Sequence, residues 1–171
     1  VARMKHYSET MAKQHEEHSS GTFQVLTVRP SNLYGPGDKF AERESKVIPA
    51  LIRRAVQRQN PFVVWGDGTD LKDFLYIDDF VEGLCGLLGY EGEPGVVNIA
   101  SGESVALLDV IPQILRASGH TEATVNYDET IPSMIPVRRI DRSKIHDLIG
   151  WAPTTGLYEG LRKTINWYVN N

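Results

Sequence analysis

Few residues in this sequence stand at spacings that could do chemistry. His15 and His18, three apart in one helical stretch, could in principle share a metal ion, but no further ligand cluster accompanies them and a solvated helix face accounts for both. Asp78 and Asp79 form an adjacent carboxylate pair, and the N-cap of a helix beginning there explains Asp78. No Ser/His/Asp or Cys/His arrangement has a supporting context. The single cysteine, Cys85, lies in the apolar run Phe80–Leu88 with no basic neighbour placed to activate it, so a small buried side chain is expected. Asn32 stands apart. It sits in the Pro- and Gly-rich segment Arg29–Asp38, at the carboxyl end of an expected strand, which is where α/β folds bind ligands. Its amide can bond a sugar or diphosphate oxygen, or close an Asx turn that holds the loop. Trp65 can likewise flank a nucleotide or pack on a sheet. Arg54, Lys72 and Arg139, taken singly, read as solvated surface charges.

The elements that must position these residues follow from periodicity. Ala2 to His18 contains no Gly or Pro, and Met4, Tyr7, Met11, His15 and His18 recur at helical spacing. Glu9 and Lys13 stand four apart in the favourable order, and Ser19-Ser20-Gly21 ends the helix. Phe23–Val28 reads as a buried strand, with Arg29–Asp38 as the loop that leaves it. Ser45–Gln59 reads as a helix with Pro49 tolerated in its first turn. Strands are expected at 62–65, 74–77, 96–99 and 124–127, with a turn at Gly66–Thr69. Helices are expected from Asp78 to Leu88, from a Ser104 cap to Ala117 despite Pro112, from Asp141 to Gly150, and over Tyr158–Val169. Strands alternating with helices make the chain α/β.

Composition narrows the possible partners. With 41% hydrophobic and 23% charged residues the 171-residue chain is an ordinary globular sequence. A net charge of −4 and no basic run argue against nucleic acid as a partner. No apolar stretch reaches the roughly 20 residues a bilayer span needs, so no membrane partner is expected and the cytoplasm is the expected compartment. No Gly-x-Gly-x-x-Gly or Gly-x-x-Gly-x-x-Gly turn is expected anywhere in the chain, and so no dinucleotide phosphate cradle.

Five segments in order carry a resemblance. They are Arg29-Pro30-Ser31-Asn32-Leu33-Tyr34-Gly35-Pro36-Gly37, Val47–Arg54, Trp65–Thr69 through Asp73–Asp79, Asn98–Gly102, and Arg138–Asp141 with Leu148-Ile149-Gly150-Trp151-x-Pro153. Together they resemble the NAD-dependent epimerase/dehydratase family of extended short-chain dehydrogenases, in its GDP-L-fucose synthase branch. The resemblance implies a partial Rossmann-like fold, with residues 1–60 and 74–100 on the Rossmann side and the remainder a small α/β substrate-binding lobe. It also implies that the N-terminal dinucleotide-binding half of such an enzyme is absent from this sequence.

The family's catalytic pair is Tyr-x-x-x-Lys on one helix, four residues apart and so on one face. There the ammonium orients the nicotinamide ribose and acidifies the phenol that exchanges a proton as hydride moves. Lys5 fits the lysine, with Glu9 one turn on, whereas the tyrosine position holds Val1, whose aliphatic side chain carries no proton. Tyr7, two residues after Lys5, lies on another face. The resemblance further implies Asn32 as a substrate contact, Arg54, Lys72 and Arg139 as cations on the nucleotide diphosphate, and Pro30 with Lys5 on the cofactor side. The expected ligand is a nucleotide-diphosphate sugar. NAD or NADP serves the parent enzyme but is not expected to bind this fragment alone, which is expected to be inactive. The expected protein partner is a second copy, docked through the opening helix, or a complementary N-terminal half. A non-catalytic sugar-nucleotide-binding or self-associating module is the alternative function.

Overall fold

The computed structural model describes residues 2–130 and 135–171; Val1, on which the expectation about the catalytic tyrosine falls, lies outside them. Helix α1 covers Ala2–His18. The following strand is displaced from expectation. Phe23 is 42% exposed and unpaired, and β1 instead covers Thr27–Pro30, half-buried at its start and exposed at its end. A second short strand, β2 (Asn32–Tyr34), occupies what reads as loop in the sequence. Pairing decides the boundary: β1 lies parallel to β6 (Val96–Ile99), with Thr27 opposite Val96 and Pro30 opposite Ile99. Pro30 is tolerated at the end of so short a strand because the ladder stops there.

The remaining elements are α2 (Val47–Val56), β3 (Phe62–Trp65), β4 (Leu71–Lys72), β5 (Phe74–Tyr76), α3 (Ile77–Leu88), β7 (Val105–Ala106), α4 (Leu107–Ser118), β8 (Val125–Asp128), α5 (Ser143–Ile149) and α6 (Leu157–Asn170). Strand β2 runs parallel to β5 and β3 parallel to β8, while β4 and β7 are antiparallel. The α/β class agrees with expectation, and three of the four strand pairs are parallel.

Three local expectations are corrected. Helix α3 starts at Ile77 with Tyr76 as its cap, so Asp78 falls inside the first turn. Helix α4 starts at Leu107, and the Ser104 hydroxyl instead donates to the Arg138 carbonyl at 2.7 Å. Cys85 is exposed, because α3 turns Gly83 and Leu87 inward and the intervening position outward.

Two apolar cores flank the β2–β5 ribbon. Residues alternate across a strand, so Leu33 and Leu75 face a core built from Leu87, Val97, Ile99, Ile145 and Trp151. Tyr34, Phe74 and Tyr76 face the other, where α2, α4 and α6 pack together around Ile52, Phe62, Ile111, Ile114 and Leu161. Two buried carboxylates tie loops to the framework, Asp73 just before β5 and Asp79 in the first turn of α3. Asp73 accepts from Ser101 N and Oγ and from Gly102 N at 2.9–3.0 Å. Asp79 accepts from the backbone and hydroxyls of Thr154 and Thr155 at 3.1–3.2 Å.

Candidate functional site

Asn32 opens β2 beside the carboxyl end of β1. Its backbone N–H and its side-chain Nδ2 both donate to the Asp73 carbonyl, at 3.1 and 2.7 Å. Its Oδ1 accepts from Arg138 Nη1 at 3.2 Å. The amide therefore closes no Asx turn; it bridges the ribbon to the segment carrying Arg138. Asn32 lines a cleft of about 300 Å³ together with Lys46, Lys72 and Arg138, floored by Leu33, Val47–Pro49 and Phe74. Lys72 is held there by the Ile135 carbonyl at 2.8 Å and Asp70 at 3.1 Å. Lys46 and Arg138, with Lys72 already paired to Asp70, bring net positive charge to one amide over an apolar floor, an environment suited to an anion with an apolar part.

The other sequence-derived positions fall elsewhere. Arg139 is exposed and does not line this cleft; its neighbour Arg138 does, a residue that the sequence reading passed over. No periodicity separates two adjacent arginines in an irregular segment, so only the bond to Asn32 tells them apart. Lys46 was also missed, being the last residue before α2 and carrying no motif signal beyond that. Arg54 and Trp65 form a separate pair. The Arg54 guanidinium lies 5.5 Å from the Trp65 ring centroid and donates to the Val63 carbonyl at 2.6 Å, leaving the indole 59% exposed. Burial, and then the charge of Arg53, hold the Arg54 guanidinium below the usual arginine range. Trp65 thus does not pack into the sheet; it stands out as a flat surface backed by a cation.

Lys5 is exposed on α1. Glu9, one turn on, takes a two-pronged ion pair from Arg29 at 2.9 and 2.5 Å, and Glu16 accepts from Val25 N at 2.6 Å. Later residues of α1 thus face earlier residues of the strand segment. Tyr34, the phenol nearest Asn32 in sequence, is buried beside Phe74 and Tyr76, and burial pushes it well above the usual tyrosine range. Against the expectation of no such pattern, Gly83, Gly86 and Gly89 do stand three apart, but they belong to α3 and its end and form no turn after a strand. A Cβ on Gly83 would meet the Trp151 ring at 3.0 Å, and one on Gly86 would meet Ile149 at 2.7 Å, so these two serve helix packing. Among the described residues no group of three or more His, Cys, Asp or Glu could hold a metal ion.

The model of the NAD dependent epimerase/dehydratase family matches residues 2–100, more than half of the chain. The chain belongs to that family. An epimerase/dehydratase relative, GDP-L-fucose synthase 1 of Arabidopsis thaliana, is 37% identical over 151 residues, 86% of this chain and 46% of the relative. The dTDP-4-dehydro-6-deoxy-D-allose reductase of a Streptomyces species is 33% identical over 164 residues, 96% of this chain and 48% of its own length. Among solved structures, a UDP-N-acetylglucosamine 4-epimerase from Methanobrevibacter ruminantium M1, in complex with UDP-N-acetylmuramic acid, superposes with a TM-score of 0.86 at 26% identity. That match covers 99% of this chain and 53% of the epimerase. The chain spans about half the length of the curated relatives it matches. Like these family members it is a mixed α/β protein with parallel strands, and no described helix is long and apolar enough to cross a membrane.

Proposed function

We propose that this chain is the substrate side of a nucleotide-sugar epimerase or reductase, and that it holds a nucleotide-diphosphate sugar in the cleft at Asn32. The observation that carries this reading is the convergence of Lys46, Lys72 and Arg138 on one 300 Å³ cleft. A diphosphate matches such a cluster better than a single carboxylate does. Arg54 and Trp65, a cation-backed ring, suit the nucleotide end. The names of the relatives favour a deoxysugar nucleotide, and the reductase's own name specifies a 4-dehydro, that is 4-keto, sugar.

In the parent reaction, hydride passes between the sugar and NAD or NADP. Lys5 and Pro30 are the residues of this chain offered to the nicotinamide end. No glycine-rich turn follows a strand to cradle a dinucleotide's pyrophosphate, and Val1 stands where the family has its proton-carrying tyrosine. The dinucleotide therefore does not fit these residues alone, and the 171-residue chain is expected to bind sugar nucleotide without turnover. The division into Rossmann-side residues 1–60 and 74–100 and a substrate lobe belongs to the same reading, as does residence in the cytoplasm.

Calorimetric titration with GDP- and UDP-sugars tests the cleft. Heat with at least one of them is expected, with affinity weakened about tenfold or more by Lys72→Ala or Arg138→Ala, the cost of one charge-assisted contact. Absence of heat with every nucleotide sugar would overturn the reading.

A second feature favours self-association as well. Met4, Tyr7 and Met11 form a stripe on α1 and are 69%, 61% and 46% exposed. A homodimer through α1 is proposed, and light scattering at micromolar concentration should return twice the chain mass. A strictly monomeric species would remove it.

A further inference from the structure

Residues 35–46, the connection between β2 and α2, leave β2, whose Asn32 and Leu33 line the cleft, and return to the cleft at Lys46. Between those points the loop is held mainly by itself. Its backbone hydrogen bonds among the described residues run from Asp38 to Gly35 and from Glu44 and Ser45 to Ala41, and Lys39 pairs with Glu44 at 3.1 Å. Its charged tie to the body, Glu42 with Arg53 at 3.9 Å, involves a glutamate that is 83% exposed and is correspondingly weak. Its apolar anchor is Phe40. That ring stacks on Tyr168, with centroids 4.4 Å apart and planes 25° from parallel, and lies 6.0 Å from Trp167. Both partners belong to the last turns of α6, an element that contributes no residue to the cleft lining. The Lys46 side chain makes no capping bond to α2, while its carbonyl accepts from Ala50 N at 3.0 Å, so α2 holds its backbone from one side and the loop governs its approach from the other.

We propose that Phe40 is a positioning residue for the cleft: its latch on Trp167 and Tyr168 fixes the loop so that Lys46 faces a bound diphosphate. The C-terminal helix thereby acts on ligand binding without touching the ligand. Release of the latch frees the loop that leads into Lys46, on the side of the cleft where α2 begins. The inference rests on the diphosphate reading of the cleft, and the experiment separates the two.

GDP is titrated into the full 171-residue chain and into Phe40→Ala, Lys46→Met, their double variant and Phe40→Trp. Phe40→Ala is expected to weaken binding roughly three- to tenfold, the fold-change equivalent of one aromatic pair. Lys46→Met should weaken it comparably, the double variant no more than the worse single one, and Phe40→Trp should restore it. Full affinity in Phe40→Ala, or losses that multiply in the double variant, would overturn the proposal. Amide hydrogen exchange without ligand provides an independent readout. Phe40→Ala should accelerate exchange across residues 36–45 and leave α4 unchanged. Unchanged loop exchange refutes the latch whatever GDP does. Faster loop exchange combined with no GDP binding by the unaltered chain supports the latch and discards the diphosphate reading.

Discussion

The Asn32 amide has both ends engaged, by the Asp73 carbonyl and by Arg138, so its contribution to a ligand site is to hold Arg138 in the cleft. Asn32→Ala should therefore weaken nucleotide-sugar binding about as much as Arg138→Ala, and calorimetry of the two variants makes the comparison. It should also lower stability by about 1–2 kcal/mol in urea denaturation, because the Asp73 carbonyl loses a bond in a part-buried setting. Asp79 presents a larger case. Its buried carboxylate accepts from Thr154 and Thr155, and Asp79→Ala leaves those donors unmatched at a cost of about 3 kcal/mol, measurable by the same titration. At this scale the sequence was half legible. Asn32 and Lys72 follow from the motif that contains them, and both reach the cleft. Arg138 was hidden behind Arg139, and Asp79 behind an N-cap argument for Asp78, because partners distant in sequence decide both roles.

Helices were easier to read than strands, for a physical reason. Helices α1, α2, α4 and α6 each carry an apolar period or a long uninterrupted run, so their bounds fall within a few residues of expectation. The strands are two to four residues long, and their limits depend on which neighbour they pair with. Phe23–Leu26 looks like a strand by composition, whereas the ladder to β6 begins at Thr27. Strand β4 is set by pairing with β7 and has no local signature. Close packing of α6 on the aromatic ribbon gives a further test. A Cβ on Gly160 would run into the Tyr34 ring and its hydroxyl, so Gly160→Ala should destabilise by about 1–3 kcal/mol despite alanine's better helix propensity. Thermal melting should show a lower midpoint; a rise would mean that the aromatic cluster can yield. The attachment of α1 should depend on pH. The hydrogen bonds and charge of Arg29 hold the Glu9 carboxyl below the usual glutamate range. The contribution is present above that range and is lost as pH falls through the depressed value. Amide exchange in α1 should therefore accelerate on acidification before that in α4, and Arg29→Met should remove the difference.

Across the whole molecule, the β2–β5 ribbon serves both cores, Leu33 and Leu75 on one side and Tyr34, Phe74 and Tyr76 on the other. Neither core can lose its packing without exposing the back of the other, so unfolding should be one transition. Single-tryptophan variants retaining Trp151 in one core, or Trp167 beside the other, should report the same urea midpoint. The cleft lined by Lys46, Lys72 and Arg138, with Lys72 paired to Asp70, has a kinetic consequence as well. It sits in a chain whose net charge is −4, so an approaching phosphate ester meets a repulsive far field and an attractive near one. The ionic atmosphere at physiological strength screens beyond about 8 Å, which hides the scattered acids more completely than cations a few ångströms from the docked ligand. Capture rates should accordingly fall less steeply with added salt than the three cations alone would dictate, and stopped-flow at rising ionic strength would display that shallow slope.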